Sequence, residues 1–501
     1  MKIKLKNKYY IILFVVLSFL PFCGRTQTNM VFYPIENQFN SSEFNPAFLY
    51  SDSQYSFSIF PIGGINLGFN NQAVVNQLVS KLLSGINTDK EYLEIVRTMV
   101  DHQSYNQKLE VDLLNFTYRS TEGFFNFRVK EDISFAASIK GPVSGFMILP
   151  EVRSIEVGRV QHVPVLILHY REYSIGYSSP TDHQSLSWGI RSKLYFGKGV
   201  FSSEISGSIK EVAGNYFMDT KGEGKMSLPE EYHQNPDGSV STVPNLSAKT
   251  INEYIFNKSN SGIGFDLGFK YKINEKLAFS ASVLDLGNIK WKNNLTSKDF
   301  VSSSELDSKS ITPTFANGIK TITKVNDSIS FENKFTQIFK TSSNQLPFKT
   351  TMPLTIFSGI SYQLNPKIKL TLADRFIKVK NLNHNTISAS ASIDLNDKLT
   401  INTGYSIIGN AYFNLPLAIL YKADFGQIYL GTDNLPSFVV PSLSEFSGIT
   451  FGTCFYLFRK RNLYDEPNDS YPFHRPKKIR KVINNGRIQK EFTEFGFPEQ
   501  Y

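Results

Sequence analysis

Gly262-Ile-Gly-Phe-Asp-Leu-Gly-Phe-Lys-Tyr271 decides the fold. Ile263, Phe265, Leu267, Phe269 and Tyr271 fall on one side of an extended chain, with Gly264, Asp266, Gly268 and Lys270 on the other, because successive side chains of a strand point to opposite faces. The same period of two runs through Phe125, Phe127 and Val129 against Asn126, Arg128 and Lys130. It recurs in Ile387 to Leu395 against Ser388, Ser390, Ser392 and Asp394, and again from Leu399 to Ile407. Sixteen segments of this kind are read from Tyr55 to Phe458: 55–60, 65–70, 109–119, 123–130, 133–140, 166–177, 186–197, 263–273, 277–290, 354–364, 368–376, 387–395, 399–407, 413–421, 425–432 and 448–458.

The polar side of these strands is often Ser, Gly or Ala, as at Ala278, Ser280, Ser282, Gly404 and Ser406. A face turned to bulk water carries more Lys, Glu and Thr, whereas small residues suit a crowded interior. So many strands in one unit also expose edges unless they close. The expected fold is therefore all-β, a transmembrane antiparallel barrel of 14 to 16 strands spanning residues 28–458 with a short helical insert. Sixteen becomes fourteen if 55–60 and 65–70 are one strand, because the hairpin at Pro61-Ile62-Gly63-Gly64 is the weakest turn of the series.

Composition agrees. Charged residues are 19% and aromatics 14%, against about 25% charged in ordinary soluble domains, as suits a surface that meets lipid. Residues 1–27 read as a signal peptide, with Lys2, Lys4, Lys6 and Lys8 ahead of an apolar stretch from Ile11 to Leu20 too short to span a bilayer. Phe22 stands where a lipoprotein signal has a small residue before its cysteine, which argues against acylation of Cys23. Of the net charge of +9, the signal carries +5 and residues 459–501 carry +4, leaving the body neutral. Nucleic-acid binding loses its electrostatic basis. Beyond the signal Cys454 is the single cysteine, so no disulfide can form within the chain.

Residues 71–101 break the pattern. Ala73, Val74, Leu78, Leu82, then Leu93, Val96 and Val100 follow helical spacing. This insert is expected at the periplasmic end, as a lumenal plug or a cap under the mouth. Long segments 198–262 and 291–353 are expected outside and short turns inside, which places both termini in the periplasm of a Gram-negative envelope. Residues 459–501, with Lys477-Lys478-Ile479-Arg480-Lys481, show no alternation and read as a basic periplasmic tail.

If the phases hold, Arg128, Arg191, Lys193, Asp266 and Asp394 point into the lumen, where they either set selectivity and pin a plug or fill the interior with ion pairs. Tyr177, Trp188, Trp291 and Tyr421 are candidates for the interfacial aromatic girdle. No Gly-x-Ser-x-Gly elbow is present, and the seven histidines are scattered without metal-ligand spacing. His169 and Ser174 are the nearest thing to a nucleophile and base on one wall, and an ordinary interfacial His is the better reading. Neither an enzyme nor a cofactor is implied.

Asn45-Pro46-Ala47, the 262–271 stretch, Ser282-Val-Leu-Asp-Leu-Gly-Asn-Ile-Lys-Trp291 and Tyr429-Leu-Gly-Thr-Asp-Asn434 resemble an uncharacterised outer-membrane β-barrel family related to the FadL-type channels and to PorV of type IX secretion. That resemblance implies either FadL-like passive uptake of a hydrophobic or amphipathic small molecule, or a PorV-like scaffold docking a secretion, surface or envelope partner. FadL-type pockets use a hatch ahead of the first strand. Here the helices follow the first strands, so no ligand-binding residue is carried over. Thr450, Gly452, Phe455 and Leu457 resemble the terminal-strand signal read by the barrel assembly machinery, although 43 residues follow Phe458. The expected partners are outer-membrane lipid, that machinery, and the ligand or protein just described.

Overall fold

A strand in hydrocarbon must have both edges paired, and the alternating segments meet this by closing on themselves. The computed structural model describes residues 30–48, 52–70, 104–120, 123–138, 154–158, 160–180, 185–227, 232–234, 240–242, 248–306, 311–316, 319–324, 343–344, 346–380, 382–409, 411–439, 446–457, 478–484 and 487–493. Fourteen antiparallel strands form a closed wall. The first seven are β1 (Tyr55–Ile59 and Ile65–Asn70), β2 (Ser104–Arg119), β3 (Phe124–Ser138), β4 (Gln161–Pro180), β5 (Leu186–Val212), β6 (Ser261–Lys272) and β7 (Leu277–Trp291). The rest are β8 (Phe348–Thr351 and Leu354–Asn365), β9 (Ile368–Val379), β10 (Leu382–Asn396), β11 (Leu399–Ile408), β12 (Ala411–Asn414 and Leu417–Ala423), β13 (Gly426–Thr432) and β14 (Phe446–Leu457). The seam is β1 against β14, with Phe57 opposite Phe455 and Leu67 opposite Ile449.

Two mergers reduce sixteen segments to fourteen. Both halves of β1 pair with the same neighbours, β2 and β14. Residues 60–64 therefore bulge from one strand instead of closing a hairpin, and the Gly63 N–H bonds back to the Ile59 carbonyl at 2.9 Å. Likewise Glu131-Asp132 is no turn: β3 runs through it, with Asp132 buried on the inner face and Glu131 on the outer.

Because β1 is a single strand, everything between its midpoint and Glu131-Asp132 changes ends relative to the sixteen-strand expectation. The connections 120–123, 181–185, 273–276, 366–367, 397–398 and 424–425 lie at one end, together with the start of β1 and the end of β14. The insert 71–101 lies outside the described residues, but its attachments, Asn70 and Ser104, are at the opposite, long-loop end. The expectation of an insert at the short-turn end is corrected on that point. Much of the two long segments is sheet: Asn215–Ser227 folds back along the upper half of β5, and Leu295–Leu306 pairs with it in turn. Residues Lys478–Asn484 and Arg487–Thr493 pair as a separate hairpin, so the tail is not devoid of strand.

Outward positions are apolar and exposed, among them Ile175 (63%), Leu194 (52%) and Leu372 (55%). At the short-turn end the rings of Tyr55, Tyr118, Phe125, Tyr177 and Trp188 stand side by side across β1 to β5, with centroid separations of 4.9, 6.2, 4.8 and 5.8 Å. Tyr421 is also exposed. Trp291 differs. A bulge in β7, where Leu284 and Asp285 face Asp266 alone and Asp285 adopts φ +61°, shifts the inward phase from even to odd residues. Trp291 is therefore turned inward and fully buried, its indole N–H donating to Thr350 at 3.0 Å, and it belongs to the interior.

Cysteines replacing Leu67 and Ile449 in a Cys454→Ser background should cross-link under oxidation and shift electrophoretic mobility reversibly. A sixteen-strand wall with a hairpin at 61–64 would leave them on non-adjacent strands.

Candidate functional site

Residues 30–48 fill the lumen ahead of the first strand. Met30, Val31, Phe32, Tyr33, Ile35, Phe44 and Phe48 are buried against wall residues Leu284, Phe357, Ala373, Leu420 and Tyr429. A closed barrel of this size leaves space that side chains of the wall alone do not fill, and the plug takes up the short-turn half. It is pinned at several heights. The Val31 N–H donates to Asp433 Oδ1 at 2.7 Å and its carbonyl accepts from Asn402. Glu36 pairs with Lys270 and, at 3.2 Å, with Lys369. Asn45 Nδ2 donates to the carbonyls of Phe269 (3.0 Å) and Ala281 (3.2 Å). The wall makes room with Gly189 and Gly268, where a Cβ would lie 2.3 Å from Pro46 and 2.1 Å from Asn45. The Asn45-Pro46-Ala47 motif is thus where plug and wall backbones touch.

Above the plug, β2 to β7 carry a belt of buried charge. Arg128 forks onto Asp112 of β2 and reaches Glu43 of the plug at 2.6 Å. Lys130 and Lys108 hold Glu110 at 2.9 and 3.0 Å, and Lys108 meets Asp132 at 3.3 Å. Lys193 gathers Asp285 (2.6 Å), Asp266 (2.9 Å) and Glu172 (3.5 Å), while Arg191 reaches Asp266 at 3.4 Å and donates to the Ser42 carbonyl at 2.8 Å. Of the five lumen candidates, Arg128, Arg191, Lys193 and Asp266 lie in this belt, all buried. Asp394 does not: it has the inward phase but sits at the short-turn rim beside a register shift, exposed and bonded to Thr400. Lys108, Glu110, Asp112, Asp132, Glu172 and Asp285 escaped the sequence reading, and Lys130, placed there on the polar side of its strand, is not among the lumen candidates. All but Asp285 keep the inward phase of their strands, so extending the alternation of β2 to β4 finds them. Asp285 faces inward only through the bulge.

Between plug, belt and far wall lies a cavity of about 110 Å³. Its charged side is Lys108, Glu110, Lys130, Glu172 and Lys193; its apolar side is Leu166, Leu284, Phe357, Ile377 and Val379. Arg375 enters from the apolar side, its guanidinium 6.0 Å from the Phe357 ring. His169 and Ser174 do not meet: Ser174 is buried on the inner face and His169 bonds Glu131 and Tyr254 on the outer.

A wall that closes completely, presents apolar side chains outward and gathers its charges inside is an outer-membrane β-barrel. The chain belongs to the family of unknown function DUF5723, matched over residues 46–433. Comparison with curated proteins gives no match. Among solved structures, the toluene transporter TbuX of Ralstonia pickettii is similar at 11% identity, covering 83% of this chain and 91% of that one with a TM-score of 0.36. The toluene transporter TodX of P. putida is similar at 11% identity, 83% and 91% coverage and a TM-score of 0.32. The functional reading rests on this chain's own lumen.

Glu43 is the plug group most exposed to charge. Burial pushes its carboxyl up, Arg128 pulls it down, and Asp112 and Glu110 push it up again, leaving it at about 7 against an ordinary 4.5. The docked plug then binds a proton that the free segment releases, so docking weakens as pH rises from about 4.5 to about 7 and is level above. The hydrogen-exchange protection factors of residues 30–48, taken relative to the intrinsic rate at each pH, should fall across that interval, and Glu43→Gln should flatten the dependence. Arg128→Ala leaves Asp112 and Glu43 uncompensated, and should cost roughly 3–5 kcal/mol in unfolding of the detergent-solubilised barrel.

Proposed function

We propose that the barrel binds an amphipathic small molecule in the lumen above the plug, as a step in passive uptake across the outer membrane. The cavity carries this reading: one side can meet a polar or charged head and the other an apolar body, the combination typical of small-molecule sites. In the same reading, the signal at 1–27 exports the chain, Thr450, Gly452, Phe455 and Leu457 of β14 address it to the assembly machinery, and the short turns and both termini face the periplasm. Long loops outside and short turns inside are the habit of such barrels.

A second reading has its own support. The plug fills the short-turn half of the lumen, and β5 with its two following strands builds a sheet beyond the wall. A filled barrel with an external platform suits a scaffold that docks a secretion, surface or envelope protein.

Binding of radiolabelled decanoate to the detergent-purified barrel separates the two. Val379→Trp, which fills the cavity from the apolar side, should lower affinity roughly ten-fold while leaving heat-modifiable migration intact. No saturable binding by the wild type, together with a protein partner retained through 213–227 and 295–306, would leave the scaffold.

A further inference from the structure

Glu131 stands on the lipid-facing side of β3, in a row with Phe127, Val129, Ile133 and Phe135. An ionised group in that position is costly, and the wall surrounds it. Arg171 Nε donates to Glu131 Oε2 at 2.6 Å, His169 Nε2 meets Oε1 at 2.9 Å, and Tyr254 joins His169 Nδ1 at 2.5 Å. Tyr254 comes from the helix α1 (Ala248–Ile255), which precedes β6 and lies against the outside of the wall. Lys198, bulged out of register between Gly197 and Gly199, is buried and donates to the Asn257 carbonyl at 2.9 Å, which holds the segment before Lys258 against the wall. Arg171, Lys258 and Glu131 are its charged neighbours.

Position and charge together say what this cluster meets. From Tyr177 in the aromatic row to His169 is eight residues along β4, a rise of roughly 20 Å at about 3.3 Å per residue and a tilt of about 40°. The apolar band of such barrels is about 25 Å tall, so the cluster lies where hydrocarbon gives way to headgroups at the long-loop end. Ile255 and Phe256 at the end of α1 are exposed beside it. Arg171, Lys198 and Lys258 outnumber Glu131, and still do when the exposed Glu253 of α1 is counted. We infer that α1 and the adjoining faces of β4 and β5 form a seat for a phosphate-bearing lipid of the long-loop leaflet, its phosphate held by Lys258 and Arg171 and its acyl chains against Leu194 and Ile175, which lie from the cluster toward the short-turn end. The site is separate from the lumen and independent of any cargo there.

The test is native mass spectrometry of the full-length barrel equilibrated with micelles containing phosphatidylglycerol, or a galactosyl diacylglycerol of the same acyl chains, or inorganic phosphate alone. The phosphoglyceride should be retained in preference to the galactolipid, and free phosphate should not compete. Retention should fall about five-fold in Lys258→Ala, taking about 1 kcal/mol per interfacial cation, while Lys258→Arg keeps it. Lys258 is exposed, so the substitution leaves the packing of the wall intact. Equal retention of both lipids by the wild type, or unchanged retention in a folded variant, would overturn the seat and leave the cluster as a staple for α1.

Discussion

Everything in this molecule follows from the seam between β1 and β14. In a bilayer an unpaired strand edge has nothing to bond to, so the last strand must find the first, and β14 pairs with β1 on both sides of its bulge. Once the wall is closed, the small inward residues that let it close leave a lumen that must be filled by something. The chain supplies two fillings: a plug from ahead of β1, and a belt of charged side chains from β2 to β7.

The two fillings depend on each other. Charges buried in a barrel are tolerable only when they have partners, and several of the belt's groups find theirs in the plug. Arg191 donates to Ser42, Asn115 and Asp112 are bonded by Asn40, and Arg128 divides itself between Asp112 and Glu43. Drawing the plug out would strand those groups. In the other direction, the plug is mostly irregular backbone, with only short 3-10 turns at Met30–Phe32 and Ser41–Glu43, and it gains order from wall groups that take its N–H and carbonyl groups. Asp433, Asn402 and Gln427 each bond plug backbone.

The wall was legible in the sequence because a period of two is a local signal that survives without knowledge of neighbours. It located the strands and four of the buried belt residues. It failed wherever geometry depends on something other than alternation. The bulge at Asp285 inverts the phase for the rest of β7, so Trp291 reads as outward and is not. Residues 60–64 look like a hairpin, and only their shared neighbours reveal one strand. The plug carries apolar residues at no fixed period, directly after the stretch that reads as a signal peptide, and nothing local separates such a run from a linker. Its one punctuating motif, Asn45-Pro46-Ala47, marked a resemblance while its purpose, close contact with Gly189 and Gly268, requires two strands more than a hundred residues away.

The two halves of the lumen are chemically unlike. Acidic and basic side chains crowd β2 to β7, whereas β9 to β11 turn Thr371, Ala373, Thr386, Ser388, Ser390, Ser392 and Ser406 inward. Hydroxyls and methyls fill space without demanding a counter-charge, so that half tolerates neighbours of either polarity. The cavity sits on the boundary, where Arg375 is the cation that the quiet half turns into it and Phe357 lies beside its guanidinium. A wholly apolar molecule there would desolvate Lys108 and Lys130 with nothing offered in return, and a small inorganic ion would leave Ile377 and Val379 against water. An occupant with both a polar end and an apolar body would cost neither, and for this physical reason the boundary between the two halves suits such a molecule better than either half alone.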